Sequence, residues 1–494
     1  MASFRTSGAA RTAEVTAIRQ RVAGLAVPQW YYVAAIFFIL HAISAFGFVD
    51  RLVYGTWPGK PGDKITESVN ILAILASVAL FAKGGRGTKT VGPGAGIVLG
   101  LGLFVVCSVL WSVDRGETMR QSLIYLPMLV GSIGIASNLS ADEYMHLLAR
   151  MCFLAAMGSL VLLVLAPASA GVPGNDFGGI FSQKNVLGEV MQIGALASLH
   201  GLREGNGRRL QSAVYLLGLV ALALMSRSAT SCLVIVVYCA GSATFTLVRR
   251  GSLGRFLAIV GILVMLGAVA SIAMFPDYFL EVIGRNPTLT GRTRIWAAVI
   301  PYIWQRPLLG WGFVAFWSPK NPAAGAVAIS SGLNFNPGEA HNGLLEALLE
   351  VGALGTGLFL FLVARTVWIA IKCLRTTAEL QLAVTCLLCC VGIVMLGLTE
   401  QVLVAATAAS TSVFFITGFM CERAVRAAEL PRNREQSRPR STGERSAGWL
   451  RSAGARRATL PSTVPTRPAP RKKGYKRQES QPTKSWFRRE SEGT

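Results

Sequence analysis

Residues 30–49 have the sequence WYYVAAIFFILHAISAFGFV, with one histidine and no charged side chain. An α-helix of about 20 apolar residues is long enough to cross a hydrocarbon core of about 30 Å. The run is too long for the apolar part of a secretory signal, and no small-residue cleavage site follows it. It therefore predicts a membrane-spanning helix, and comparable runs recur as far as residue 420.

The composition of the whole chain supports a membrane protein. Of its 494 residues, 52% are hydrophobic and only 15% are charged, and the mean hydropathy is +0.49. A soluble domain carries about 25% charged residues. The sequence therefore predicts an all-α, polytopic bundle of membrane helices.

Polar segments divide the apolar region into about twelve predicted spans. Nine of them precede a long polar segment, and three follow it. They cover residues 30–49, 65–82, 91–111, 121–137, 145–166, 185–201, 210–226, 230–248, 256–275, 343–364, 380–398 and 402–420.

Lysine and arginine gather in alternate short connections, which predicts that both termini are cytoplasmic. We expect a cytoplasmic segment at 1–29, a transmembrane domain at 30–420 and a tail at 421–494. The tail has 19 Lys+Arg against 7 Asp+Glu and few apolar residues, which is typical of disorder. Binding of anionic membrane lipids is the alternative for the tail, and no nucleic-acid partner is expected.

A large non-cytoplasmic loop at 276–341 separates the ninth and tenth predicted spans. Loops of this length in compact proteins are usually functional or disordered. This one contains Trp296, Trp304, Trp311 and Trp317, and such rings favour the membrane interface. We expect the loop to lie along the bilayer surface.

Basic residues on the same face predict an anion site. Arg227 lies in a tight turn between two apolar runs, and Arg292 and Arg294 lie in the large loop. An arginine at membrane level is either a snorkelling side chain or an anion partner. The planar guanidinium donates two parallel bonds to a phosphate, so these arginines could hold a diphosphate, with Lys184 adding a further charge.

His341 is one of four histidines and the one predicted on the non-cytoplasmic face. An unperturbed imidazole titrates near pH 6.5, which suits a general base, although a lone surface histidine is more often inert. Asn342 can cap the helix that follows, and Glu346 and Glu350 lie on one face of it. These carboxylates face a polar cavity or pair with an arginine of another helix. No carboxylate and histidine cluster with metal-ligand spacing is evident on this face, so no metal is expected.

Short motifs recur in order along residues 30–420. They are Trp111-Ser112-Val113-Asp114, Phe181-Ser182-Gln183-Lys184-Asn185, Ser226-Arg227, Thr290-Gly291-Arg292, Arg306-Pro307-Leu308-Leu309-Gly310, and His341-Asn342 through Glu346 to Glu350. In these motifs the sequence resembles the superfamily of O-antigen ligases and polysaccharide polymerases of the bacterial envelope, and within it the exopolysaccharide polymerase branch.

The resemblance implies a glycosyltransferase of the bacterial inner membrane with a periplasmic active site. Its donor would be a polyprenyl-diphosphate-linked oligosaccharide, used with no cofactor. His341 would deprotonate the glycan acceptor, and Arg227 and Arg292 would hold the diphosphate. A chain-length regulator is a possible partner.

Two reactions and one further class of protein stay open. A polymerase extends one lipid-linked repeat unit with another, whereas an O-antigen ligase passes the glycan to the lipid A-core. The motif before the sixth span favours the polymerase. A polysaccharide transporter or flippase could also hold a lipid diphosphate, but transporters commonly show two related halves, and no internal repeat is evident here.

Overall fold

A computed structural model provides the structure of the chain. It describes residues 27–47, 49, 64–83, 92–172, 176–204, 207–257, 292–332, 337–402, 405 and 409–436. The predicted cytoplasmic segment up to residue 26, most of the ninth span, Thr290, Gly291 and the tail beyond residue 436 lie outside these residues.

The described residues are almost entirely helical, which confirms the predicted fold class. A single pair of two-residue strands, β1 (Gly171–Val172) and β2 (Asp176–Phe177), runs antiparallel. The helices, numbered in chain order, are α1 Gln29–Ala42, α2 Lys64–Lys83, α3 Pro93–Cys107, α4 Arg115–Asn138, α5 Ala141–Leu165, α6 Pro167–Ala170, α7 Lys184–Glu204, α8 Arg209–Met225, α9 Ala229–Val248, α10 Arg292–Gln305, α11 Pro322–Ser330, α12 Gly343–Thr376, α13 Leu380–Gly397 and α14 Ala409–Gln436.

Six of the described helices are long and apolar enough to cross a membrane. They are α2, α3 with the 3₁₀ turn that follows it, α5, α9, α12 and α13, and the apolar helices α1 and α8 are shorter. Every predicted span except the ninth overlaps one of the helices given above, and most of the ninth lies outside the described residues. The total of about twelve spans stays a prediction.

Helix α7 lies in the middle of the bundle, and 14 of its residues are buried. Glycines let its neighbours approach closely, since a Cβ at Gly194 would lie 2.6 Å from Cys152 Cβ of α5. A Cβ at Gly188 would lie 2.8 Å from Ser228 Cβ, beside the start of α9. Small residues at these positions are typical of packed membrane helices, because they bring two backbones into van der Waals contact.

Helix α12 is broken at Gly352, whose φ of 62° and ψ of −170° are not helical. The segment Pro307–Gly312 packs across the break. It forms hydrogen bonds with the backbone groups of α12 that the break leaves without partners on their own helix. Trp311 N donates to Leu349 O at 2.7 Å, and Ala353 N donates to Pro307 O at 2.8 Å. Unpaired backbone groups are costly inside a membrane protein, so this segment completes the helix that it crosses.

The part of the predicted loop that the structure describes also packs against the turn between α3 and α4. Asp114 caps α4 and accepts bonds from Ser318 Oγ at 2.6 Å and Lys320 Nζ at 3.0 Å. Thr118 Oγ1 donates to Phe313 O at 2.9 Å. These contacts hold α10 and α11 against the bundle.

We predict that Gly352→Ala destabilises the protein by about 2 kcal/mol or more. An alanine there would adopt a left-handed backbone, and its Cβ would overlap the carbonyl of Leu308. The matched control is Gly357→Ala on the same helix, because a Cβ there meets nothing within 4 Å. Heat-induced unfolding in detergent measures the difference, and equal midpoints for the two variants would contradict the tight crossing at Gly352.

Candidate functional site

Arg292, His341 and Glu400 come together at one end of the helix bundle. Arg292 Nη2 lies 3.0 Å from Glu400 Oε1, and its Nη1 donates to Thr399 O at 2.7 Å. His341 Nδ1 lies 4.0 Å from Glu400 Oε2 and 3.1 Å from Glu339 Oε1. We call Glu339, His341, Arg292 and Glu400 the charged cluster.

The ends of several helices meet at the charged cluster. Arg292 begins α10, and Glu400 follows the end of α13. Asn185, at the start of α7, donates to Glu400 Oε1 at 2.9 Å. Thr399 Oγ1 donates to Thr230 Oγ1 at 3.0 Å, which brings the start of α9 to the same place. Glu400 and its neighbour Thr399 therefore connect these elements.

His341 immediately precedes the cap of α12. Asn342 Oδ1 accepts from the backbone N–H groups of Leu344 and Leu345 at 3.1 Å, as the predicted capping role requires. The φ of His341 is 50°, a left-handed conformation that is uncommon for a residue with a side chain. The surrounding contacts therefore hold this residue in place against a local backbone cost.

Burial lowers the pKa of His341, but the carboxylates of Glu339 and Glu400 together raise it more, so the pKa rises from 6.5 to about 9. His341 is therefore an imidazolium at neutral pH. Because the folded protein holds this proton more tightly than the unfolded chain does, the pairing stabilises the fold fully below about pH 6.5. The contribution is lost as the pH rises through about 9.

The other predicted cations differ in their positions. Arg227 has a left-handed φ of 54° and an exposed side chain, and it lies three residues before Thr230, which bonds to Thr399. Lys184 begins α7 directly before Asn185, which bonds to Glu400. Arg294 is two residues beyond Arg292 on α10, so it points to another side of the helix, where its guanidinium lies beside Gly332. The structure therefore brings Arg292 into the cluster and directs Arg294 elsewhere.

Glu346 and Glu350 are buried on the first two turns of α12. Glu346 accepts bonds from Trp317 Nε1 at 2.7 Å and from Ala340 N at 2.6 Å. Gln401 Nε2 lies 3.4 Å from Glu350 Oε1. Within the described residues, neither carboxylate pairs with an arginine, which was one of the two alternatives that the sequence left open.

Sequence reasoning missed the roles of Glu339, Glu400 and Asn185. Glu400 lies between the closely spaced eleventh and twelfth predicted spans, and a carboxylate at membrane level is costly without a partner. That position is the signal that could have identified it. Asn185 belongs to a motif that the sequence analysis quoted, and Glu339 lies two residues before His341, but spacing alone gave them no chemistry.

Glu339, His341 and Glu400 offer ligand atoms that all lie within 4.8 Å of one another. Spacing along the sequence indicated no such cluster, because Glu400 comes from a distant segment. Carboxylate oxygen and imidazole nitrogen are ligands that divalent metals accept. Here Arg292 and the His341 imidazolium already balance the two carboxylates, so the charges need no metal ion. The expectation that no metal is used stays a prediction.

These residues define a class of protein: a helical membrane protein in which a histidine, an arginine and two glutamates meet at one end of the bundle. Residues 213–360 match the family model described as O-Antigen ligase (Wzy_C). The chain is also 32% identical over 197 residues to the exopolysaccharide production protein ExoQ of Rhizobium meliloti (strain 1021). These two matches confirm the predicted resemblance to the superfamily of O-antigen ligases and polysaccharide polymerases.

Both matches are partial. The alignment with ExoQ covers 36% of this chain and 43% of the relative, so the chain spans less than half of that relative's length. The family match includes Arg227, Arg292 and His341 and ends before Glu400.

We predict that Glu339→Gln lowers the pKa of His341 by about 1 or more, because it removes one of the two carboxylates that oppose burial. Diethyl pyrocarbonate modifies the neutral imidazole, and mass spectrometry of the peptide that contains His341 follows its rate against pH. The control is Glu67→Gln, an exposed position at the start of α2. An unchanged midpoint for Glu339→Gln would show that this carboxylate does not hold the proton on His341.

Proposed function

We propose that the chain is a membrane glycosyltransferase that uses a polyprenyl-diphosphate-linked glycan at the periplasmic face of the bacterial inner membrane. It would join exopolysaccharide or O-antigen repeat units into a polymer. The observation that carries the proposal is the position of His341 beside Arg292 at one end of the bundle. The matches with the O-antigen ligase family and with ExoQ support it.

In this proposal, Arg227 and Arg292 bind the diphosphate of the donor, and Lys184 adds charge at the rim. The bond between the sugar's anomeric carbon and the diphosphate oxygen breaks, and the diphosphate leaves with the electron pair. Fixed cations aimed at that developing charge are the main electrostatic contribution available to such a reaction. The side chains of Arg292 and Glu400 are only 20% and 16% exposed, so solvent screens this region weakly.

The acceptor hydroxyl attacks the anomeric carbon and gives its proton to His341. His341 performs this step in its neutral form, which with a pKa of about 9 is about 1% of the protein at pH 7. Glu339 and Glu400 orient the ring and stabilise the imidazolium that forms, as the carboxylate of a catalytic triad does. The share of the active form grows as the pH rises towards 9.

The match to the O-antigen ligase family favours a second candidate, transfer of the glycan to a lipid A-core. Both reactions need the same departure of the diphosphate and the same deprotonation of a hydroxyl. They differ in the acceptor. The name of the relative, an exopolysaccharide production protein, favours polymerisation.

Incubation of the purified protein with a lipid-linked repeat unit, with and without lipid A-core, tests the proposal. Longer lipid-linked chains indicate a polymerase, and glycan on the core indicates a ligase.

We predict that His341→Ala gives neither product while the amount of protein in the membrane stays normal. Product at the wild-type rate from this variant would refute the role of His341, and movement of the donor across a vesicle membrane without product would indicate a transporter.

We predict that Arg227→Lys lowers the rate of transfer at least tenfold, because lysine keeps the charge but loses the two-pronged donation to phosphate. The matched control is Arg209→Lys at the opposite end of α8, where the side chain is exposed. Initial rates at several donor concentrations measure both variants. Equal rates for Arg227→Lys and the wild type would leave Arg227 without the proposed phosphate contact.

A further inference from the structure

The peptide groups on both sides of Ala340 are held by side chains from two different helices. Glu346 Oε2, on the first turn of α12, accepts the backbone N–H of Ala340 at 2.6 Å. Trp296 Nε1, on α10, donates to the carbonyl oxygen of Ala340 at 2.9 Å. Ala340 is itself fully buried, so water does not replace these bonds.

Ala340 directly precedes His341, whose left-handed backbone has a φ of 50°. Such a conformation costs about 1–3 kcal/mol in a residue other than glycine and persists where the surroundings fix it. On the other side, Asn342 is fixed as the cap of α12. His341 is therefore held from both neighbours, which sets the direction of its side chain towards Glu339 and Glu400.

Glu346 is well suited to fix this peptide because it is itself immobilised. Its side chain is 1% exposed, and its other oxygen accepts from Trp317 Nε1 at 2.7 Å. Trp317 in turn packs edge-on against Phe316, with ring centroids 5.0 Å apart. A buried carboxylate that accepts a hydrogen bond at each oxygen has little freedom to move. Loss of either donor leaves one buried oxygen without a hydrogen-bond partner.

We propose that Glu346 is a positioning residue that, together with Trp296, directs the imidazole of His341 towards Glu339 and Glu400. Its importance for glycosyl transfer rests on the proposed function, whereas the placement of His341 does not. The alternative is that Glu346 supports only the packing of α12. The two differ in whether His341 changes when the fold remains intact.

Glu346→Gln and Trp296→Phe separate these alternatives. Glutamine offers one acceptor oxygen in place of two, so one of the two donors to Glu346 then faces an NH₂ group. Phenylalanine keeps an aromatic ring at Trp296 but removes the donor to Ala340. The matched control is Trp311→Phe, which likewise removes an indole donor to a backbone carbonyl, that of Tyr302, and leaves the bonds of Ala340 and Glu346 in place.

The first measurement is the pH dependence of His341 modification by diethyl pyrocarbonate, in protein shown by thermal unfolding to be folded. We expect the midpoint of about 9 to fall towards 6.5 in Glu346→Gln and Trp296→Phe, because the ring leaves the carboxylates, and to stay in Trp311→Phe. Unchanged midpoints in both Glu346→Gln and Trp296→Phe would overturn the proposal. A fall of the same size in Trp311→Phe would also overturn it, since general packing would then explain the effect. If Glu346→Gln fails to fold, Trp296→Phe alone decides.

The second measurement is transfer from the lipid-linked donor. We expect kcat to fall at least tenfold in Glu346→Gln while KM for the donor changes less than twofold, because the diphosphate contacts are untouched. A rise in KM with an unchanged kcat would contradict positioning of His341. Activity retained by His341→Ala would refute the proposed function instead, and the modification experiment would still report on the placement of His341.

Discussion

Backbone N–H and C=O groups inside a membrane helix bundle need hydrogen-bond partners. The break in α12 leaves some of these groups without partners on their own helix. At Gly352 the helix releases backbone groups, and the segment Pro307–Gly312 supplies their partners. That segment directly follows α10, so the crossing fixes one end of α10 against α12. The other end of α10 carries Arg292 and Trp296, which contact Glu400 and the carbonyl of Ala340. A backbone requirement in the bundle therefore sets where the charged cluster forms.

Within the cluster, Glu400 has the largest share of the contacts. It accepts from Asn185 and Arg292 and lies 4.0 Å from His341 Nδ1, so it joins α7 and α10 to the start of α12. Two carboxylates face two cations in a weakly exposed region, where removal of one partner leaves an uncompensated charge. Under the proposed function, the donor's diphosphate would compete with Glu400 for Arg292. The cluster would then exchange a resident anion for an incoming one and keep its charge balanced.

The sequence predicts much of the fold because hydropathy and the positions of basic residues are local properties. The start of α12 at Asn342 and the placement of His341 beside it follow from capping and from motif recognition. Glu400 did not follow, because no local pattern pairs it with residues of α10 or with His341. The sequence could not show which of Arg292 and Arg294 faces the cluster until the start of α10 was known. On a helix, residues that are two positions apart in the sequence point about 200° away from each other.

The bond from Ala340 to Glu346 resembles a capping box that is shifted by one position, so the sequence pattern for a capping box does not identify it. In a capping box, the glutamate at the third helical residue reaches back to the N–H of the capping residue. Here the third helical residue is Leu345, and Glu346 at the fourth reaches back past Asn342 and His341 to Ala340. The side chain of Glu346 therefore connects the first turn of α12 to the residue before His341, across both His341 and the capping residue Asn342. This geometry fixes the backbone on both sides of His341. A buried carboxylate is costly unless it is hydrogen-bonded, and both oxygens of Glu346 have donors.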